Sequence, residues 1–254
     1  MKSRRYAERL RLFTEKSNAI HEQYLGDAVL LSKYEYFLDW QVAYSLPFYS
    51  EFEESAETAA AIEFVISDLI GTGVSARDAD MSKIIPIMVR LLPAKALRAL
   101  ASAMELNARA LEINLNICRE LYAGVNDPVP VSERDYCDAF RRSTSLDEVH
   151  DLIRLTINLG HSLKKLVGST VLGMTLRAMH HPAHAAGFGA MQDFLEKGYG
   201  TFHAIDDVDG FLERFEIVMT EVFTRTCREP LENLDDTLMI STSSSGVPHL
   251  VPRL

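Results

Sequence analysis

Three histidines lie within five residues of one another, at positions 180, 181 and 184. On a continuous helix, His180 and His184 would lie on one face at a spacing that metal ligands use. Pro182 lies between them, and because proline is favoured in the first turn of a helix, it predicts a helix that begins there. The ordinary interpretation is therefore a set of cap, loop or half-buried histidines. The alternative is a metal or haem site at His180 and His184.

Acidic residues form a second candidate site. Glu63 ends a cluster of five glutamates over residues 51–63, and Asp68 lies in the apolar segment that follows it. Arg77, Asp78 and Asp80 place three charges within four residues ahead of another apolar segment. Carboxylates in such positions commonly cap a helix and pair with an arginine. The functional alternative is a ligand-binding set that these residues form between helices, together with the histidines.

Aromatic side chains are densest between residues 34 and 52, with eight in 19 positions. Such density is typical of core packing, since large rings bury much apolar surface. The alternative is an aromatic-lined pocket for a ligand or a partner, for which Trp40 and Tyr44 are the candidate residues.

The motifs of common enzymes are absent from the sequence. It contains no phosphate-binding G-x-x-x-x-G-K-[ST], no G-x-S-x-G and no H-E-x-x-H. The sequence therefore identifies no reaction and leaves open whether the protein is an enzyme. It favours no cofactor, with haem or a metal as the alternative. The net charge of −10 disfavours nucleic acid as a partner, although residues 1–16 carry a local excess of positive charge.

The cysteines and the hydropathy bear on location. The three cysteines are too few and too widely spaced for a disulfide framework, which favours a reducing cytoplasm. No apolar run approaches the roughly 20 residues that span a bilayer. We expect a cytoplasmic protein without a membrane span.

Helical periodicity dominates the rest of the chain. Apolar residues recur at intervals of three and four from Ala94 to Ala123, with Glu105 and Arg109 on the opposite, solvated face. A capping box at Ser145 begins a helix from about Leu146 to Val167, and a Phe-rich stripe predicts another from Val208 to Thr226. Strand patterns are missing, so the predicted fold is an all-α bundle of about seven to nine helices around one core.

We expect one helical domain over residues 1–235, with a possible lobe boundary near residues 124–131. Residues 236–254 are expected to form a flexible tail. This tail is rich in serine, and its Leu250-Val251-Pro252-Arg253 is similar to a thrombin-type cleavage sequence.

Several segments together resemble one bacterial family. Residues 64–71, 77–80 and 84–93, with Met104-Glu105-Leu106-Asn107, are similar to the first half of the FFLEELY-motif proteins, and residues 181–183, 186–187 and 191–198 to the second half. Phe64, Leu69 and Gly71 match the naming motif, with Asp68 in place of its second glutamate. The resemblance covers roughly residues 35–225. It implies a helical bacterial cytoplasmic protein and assigns no catalytic residue.

Two functional hypotheses follow. The first is a non-catalytic binding or adaptor protein whose helical face or groove takes another protein, with a homo-oligomer as one form. The second is a helical binding protein or enzyme that takes a small molecule, haem or metal in a cavity between helices.

Overall fold

The computed structural model describes residues 2–70, 84–90, 92–125, 130–227, 238–242 and 248–252. In these ranges the chain forms ten α-helices, slightly more than the sequence suggested, and the all-α prediction is confirmed. The helices are α1 (Lys2–Leu25), α2 (Ala28–Ser45), α3 (Ala56–Glu63), α4 (84–90), α5 (Ala94–Leu121), α6 (Glu133–Ser143), α7 (Leu146–Val167), α8 (Thr170–Ala185), α9 (Gly189–Ala204) and α10 (Val208–Cys227).

Helix starts follow the capping residues of the sequence. Ser145 accepts a hydrogen bond from the Glu148 amide while Glu148 accepts from the Ser145 amide, so the predicted capping box is complete. Ser132 caps α6 by accepting a hydrogen bond from the Asp135 amide. These bonds satisfy amides that a helix leaves unpaired at its first turn.

The helices α1 and α5 run parallel along most of their length. Three polar pairs join them at a separation of 96 residues, Arg9 with Glu105 and Lys16 with Glu112 among them. Each helix buries a stripe with alternating spacings of three and four residues, as in a coiled coil. The stripe of α1 is Ala7, Leu10, Thr14, Ser17, His21 and Tyr24, and that of α5 is Leu97, Ala101, Met104, Ala108, Leu111, Leu115 and Cys118.

This pairing corrects one sequence-based expectation. Glu105 was expected on a solvated face, but its side chain is buried and contacts both Arg9 and Arg109. The periodicity of α5 alone could not show this, because the covering helix lies far away in the sequence.

The largest buried cluster joins α2, α3, α5, α6, α7 and α10, and it contains the predicted aromatic run. The helices α7 and α10 approach closely at Gly160, where a β-carbon would overlap the side chain of Leu212. A second cluster lies between α1, α4, α5 and α9.

Three local features were not predicted. Leu46–Glu54 forms a 3-10 helix, and the helix that Ser55 caps continues beyond Glu63 as a π-helix over Phe64–Ile70. Leu238–Thr242 and Pro248–Pro252 pair as an antiparallel ribbon with Ile240 opposite Leu250. The flexibility expected of residues 236–254 stays a prediction.

Among the described residues, no helix combines the length and apolar character that crossing a membrane requires. Arg77, Asp78, Asp80 and the loop residues 126–129 lie outside the described residues.

Candidate metal centre

The turn between α8 and α9 brings the histidines towards the next helix. Gly187 has a φ of +82°, a left-handed conformation that glycine adopts without strain. The Phe188 amide donates to the Ala183 carbonyl at 2.8 Å and the Gly187 amide to the His184 carbonyl at 3.1 Å. These two bonds form a Schellman motif, which ends α8 and lets α9 fold back along it.

Pro182 does not begin a helix, so that expectation was wrong. α8 runs unbroken from Thr170 to Ala185 with Pro182 inside its last turn. A proline this close to the end leaves little helix for its ring and missing amide to disturb. His180 and His184 consequently lie one turn apart on one helix, with ring centroids separated by 4.6 Å.

Asp193 of α9 completes a group of three possible ligands. One ligand atom each from His180, His184 and Asp193 lies within 4.8 Å of the others. The Nε2 of His184 and an Oδ1 of Asp193 are 2.8 Å apart. Two imidazoles and one carboxylate are the protein ligands found in many zinc sites that keep a position open.

Glu196, one turn after Asp193, and Gln192, the residue before Asp193, support this group. A carboxylate oxygen of Glu196 lies 2.9 Å from Nδ1 of His180, and the Gln192 amide donates to the other Glu196 oxygen at 2.7 Å. Gln192 also donates to the Leu176 carbonyl at 2.7 Å, which anchors the pair to α8. When the Nδ1–H of His180 donates to Glu196, its Nε2 carries the lone pair that a metal needs.

The cluster is accessible and carries excess negative charge. The side chains of His180, His184 and Asp193 are 40%, 42% and 55% exposed. Asp193 and Glu196 supply two negative charges, while Lys197 extends to Asp68 at 2.6 Å. The site therefore attracts a cation and admits one from solvent.

The other sequence candidates lie elsewhere. Glu63 is exposed at the end of α3, and half-buried Asp68 lies in the π-helix beside Lys197. Trp40 and Tyr44 are buried and stacked on each other with ring centroids 5.0 Å apart. The structure brings none of these four to the histidines.

The Tyr44 hydroxyl belongs to a buried polar network. It donates to Glu133 at 3.0 Å, and the guanidinium of Arg225 approaches the same carboxylate at 2.8 Å. Burial first, and the charge of Glu133 second, raise the pKa of Tyr44 well above its usual value. Tyr44 is therefore a hydrogen-bond donor that ties α2 to α6 and α10.

Sequence reasoning missed Asp193, Glu196 and Gly189. The signal was present as Asp193-x-x-Glu196, since residues three apart share a helix face just as His180 and His184 do. What the sequence could not show is that the Gly187 turn aligns the two faces.

A family model described as a domain of unknown function (DUF8198) matches residues 21–229. The chain belongs to this family. The DUF8198 region contains α8, α9 and every residue of the candidate metal centre, while most of α1 precedes it. This match supports membership of an uncharacterised family, and the FFLEELY resemblance stays a prediction. No curated protein and no solved structure matches the chain.

Proposed function

We propose that this protein binds a divalent transition metal ion, foremost Zn²⁺, between α8 and α9. The observation that supports the proposal is the convergence of His180, His184 and Asp193 within 4.8 Å. Imidazole with carboxylate suits Zn²⁺ and its neighbours in the first transition series, whereas Mg²⁺ prefers carboxylates and water.

The proposed role of the ion is non-catalytic. His180 and His184 belong to one helix and Asp193 to the other, so the bound ion fastens the α8–α9 hairpin at its turn. A ligand that binds only the folded state raises stability in proportion to the logarithm of its concentration. Zinc is therefore expected to raise the melting temperature.

The test is calorimetric titration of Zn²⁺ into protein without a histidine tag. The wild type is expected to bind one ion, and Mg²⁺ is expected to give no comparable signal. His184→Ala is expected to weaken zinc binding by more than about 100-fold, since even loss of an outer-shell partner costs 10–100-fold. Co²⁺ offers a spectroscopic measurement, because its visible absorption reports the coordination geometry.

The matched control is His150→Ala, which removes an exposed histidine from α7. This variant is expected to bind zinc as the wild type does. Equal zinc affinity in His184→Ala and the wild type would overturn the proposal.

A second candidate function is self-association through the outer face of α8. Val171 and Met174, three residues apart on α8, are 62% and 60% exposed, the two highest values among the large apolar side chains of the described residues. Light scattering tests this candidate. A dimer that Val171→Glu with Met174→Glu converts to a monomer supports it, and a monomeric wild type contradicts it.

We further infer a bacterial cytoplasmic location. Its supports are the FFLEELY resemblance and the free, buried thiols of Cys118 and Cys137. Fractionation of the host cells tests this inference.

A further inference from the structure

A second feature of the molecule is a cavity at the centre of the bundle, lined mainly by α2, α5, α7 and α10. Its volume is about 140 Å³. An engineered protein cavity of about 150 Å³ lined by apolar residues accommodates benzene. The cavity is therefore large enough for a molecule with one six-membered ring.

The lining excludes a charged ligand. No Asp, Glu, Lys, Arg or His is among the described residues that line the cavity. Most of the lining is aliphatic or phenylalanine, with Phe202, Phe211 and Phe215 on one side. An ion would lose its hydration there without a charged partner, so a bound molecule must be neutral.

Three amide side chains line the cavity. Asn107 donates to the Ser17 hydroxyl at 3.3 Å, whereas Gln41 and Asn114 bond to each other and form the polar point of the cavity. Gln41 of α2 and Asn114 of α5 both line it, and the Gln41 amide donates to the Asn114 oxygen at 3.2 Å and to the Tyr136 hydroxyl at 3.3 Å. Asn114 is 94% buried, since only 6% of its surface is exposed.

These bonds leave one donor and one acceptor without a partner. Among the described residues, Asn114 Nδ2 donates to no acceptor and Gln41 Oε1 accepts from no donor. Neither atom is among the fully buried side-chain atoms that lack a partner, so both keep accessible surface and are open to a molecule that enters the cavity.

We propose that the central cavity binds a small, neutral, mostly apolar molecule that carries one hydroxyl group. A hydroxyl matches the polar point, because it accepts from Asn114 Nδ2 and donates to Gln41 Oε1. Its hydrocarbon part fills the space beside the phenylalanines, where lining atoms otherwise lack contact partners. This site is separate from the metal centre and shares no residue with it.

Trp40 and Tyr44, the sequence-based candidates for an aromatic-lined pocket, lie next to this cavity. Tyr136 lines the cavity, and its ring centroid lies 5.1 Å from that of Trp40 and 5.4 Å from that of Tyr44. Trp40 and Tyr44 thus pack behind Tyr136 and do not line the cavity themselves. Since Trp40 is the single tryptophan of the chain, its fluorescence reports changes at Tyr136.

The test uses phenol and benzene as probes on metal-free, full-length protein, followed by Trp40 fluorescence and by calorimetry. Phenol is expected to bind about tenfold more tightly than benzene, because only phenol completes the two hydrogen bonds. Asn114→Leu is expected to abolish that preference while benzene still binds. If Asn114→Leu fails to fold, Gln41→Leu provides the same comparison of phenol with benzene, because Gln41 is the half-buried partner of Asn114.

Ala110→Leu tests whether the probes occupy the cavity. Ala110 lines the cavity, and the larger side chain is expected to fill it and reduce the affinity for both probes at least tenfold. Ala178→Leu on the exposed face of α8 is the matched control and is expected to change neither affinity.

Two results would overturn the proposal. One is equal affinity for phenol and benzene in the wild type, and the other is phenol binding that Ala110→Leu leaves unchanged. A crystal soaked in phenol that shows only water in the cavity would count in the same direction. Because metal-free protein is used, failure here leaves the zinc proposal intact, and the reverse also holds.

Discussion

The imidazole of His184 lies in the space that a side chain on residue 189 would need. A β-carbon on Gly189 would lie 2.5 Å from Nδ1 of His184 and 2.7 Å from its Cε1. Carbon atoms never approach that closely, so the absence of a side chain at the start of α9 allows His184 to reach Asp193.

The first prediction concerns this contact. Gly189→Ala is expected to displace the His184 ring and lower zinc affinity at least about tenfold, since small misplacements of a ligand cost binding. Calorimetric titration measures the change. Gly200→Ala in the same helix is the control, because a β-carbon there meets no atom within 4 Å. Similar zinc affinity for both variants would contradict the contact's role.

The second prediction concerns Glu196, which lies 2.9 Å from His180 and is only 28% exposed. Glu196→Gln keeps the size of the side chain but removes the charge that favours Nδ1–H on His180. We expect a 10–100-fold loss of zinc affinity with one ion still bound. Glu216→Gln, an exposed residue of α10, should leave the affinity unchanged. Complete loss of binding in Glu196→Gln would instead make Glu196 a direct ligand.

The third prediction concerns the capping box of α7. Hydrogen bonds from the Ser145 amide, and then from its hydroxyl, lower the pKa of Glu148 below its usual value of about 4.3. A lowered folded-state pKa means that ionised Glu148 stabilises the fold above that usual value. This stabilisation is lost as the pH falls through the lowered pKa.

Glu148→Gln is therefore expected to lower the free energy of unfolding at pH 7 by less than about 1 kcal/mol, because the site is exposed. The difference from the wild type should shrink as the pH falls below about 4. Ser145→Ala is expected to cost about 1 kcal/mol at pH 7. Urea unfolding across this pH range provides the measurement. A Glu148→Gln deficit that grows in acid would refute the assigned sign.

The fourth prediction concerns two buried thiols on either side of residues 126–129. Burial raises the pKa of Cys118 in α5 to about 12 and that of Cys137 in α6 to about 11. Both are neutral thiols at pH 8 and are expected to react with a disulfide reagent only after unfolding.

The same measurement tests the proposal of one domain over residues 1–235. In a Cys227→Ser background, Cys118 and Cys137 are expected to become reactive at the same urea concentration, because α5 packs against both α6 and α7. Exposure of one thiol well before the other would indicate two lobes that meet near residues 124–131.

Much of the fold was readable because its signals are local. The Ser145 box and the 3.6-residue period gave α7 the bounds Leu146–Val167, which the structure reproduces. The prediction at Pro182 was wrong, because a proline by itself does not show whether a helix begins at that residue or continues past it. The burial of Glu105 depends on a helix about 96 residues away, and no local pattern carries that information.

Only the local part of each candidate site could be predicted from the sequence. The spacing of His180 and His184 is a property of one helix. Asp193 lies near them only because the backbone turns at Gly187 and α9 folds back along α8. Gln41 and Asn114 are separated by 73 residues and meet across the cavity, so neither is notable in the sequence.

The parallel pairing of α1 with α5 also sets an order of events during synthesis. Arg9 and Lys16 leave the ribosome 96 residues before their partners on α5. At elongation rates of about 5–20 residues per second, the apolar stripe of α1 is synthesised roughly 5–20 s before the part of α5 that covers it. During that interval the nascent chain exposes the apolar residues of α1, which are a natural point of contact for a chaperone.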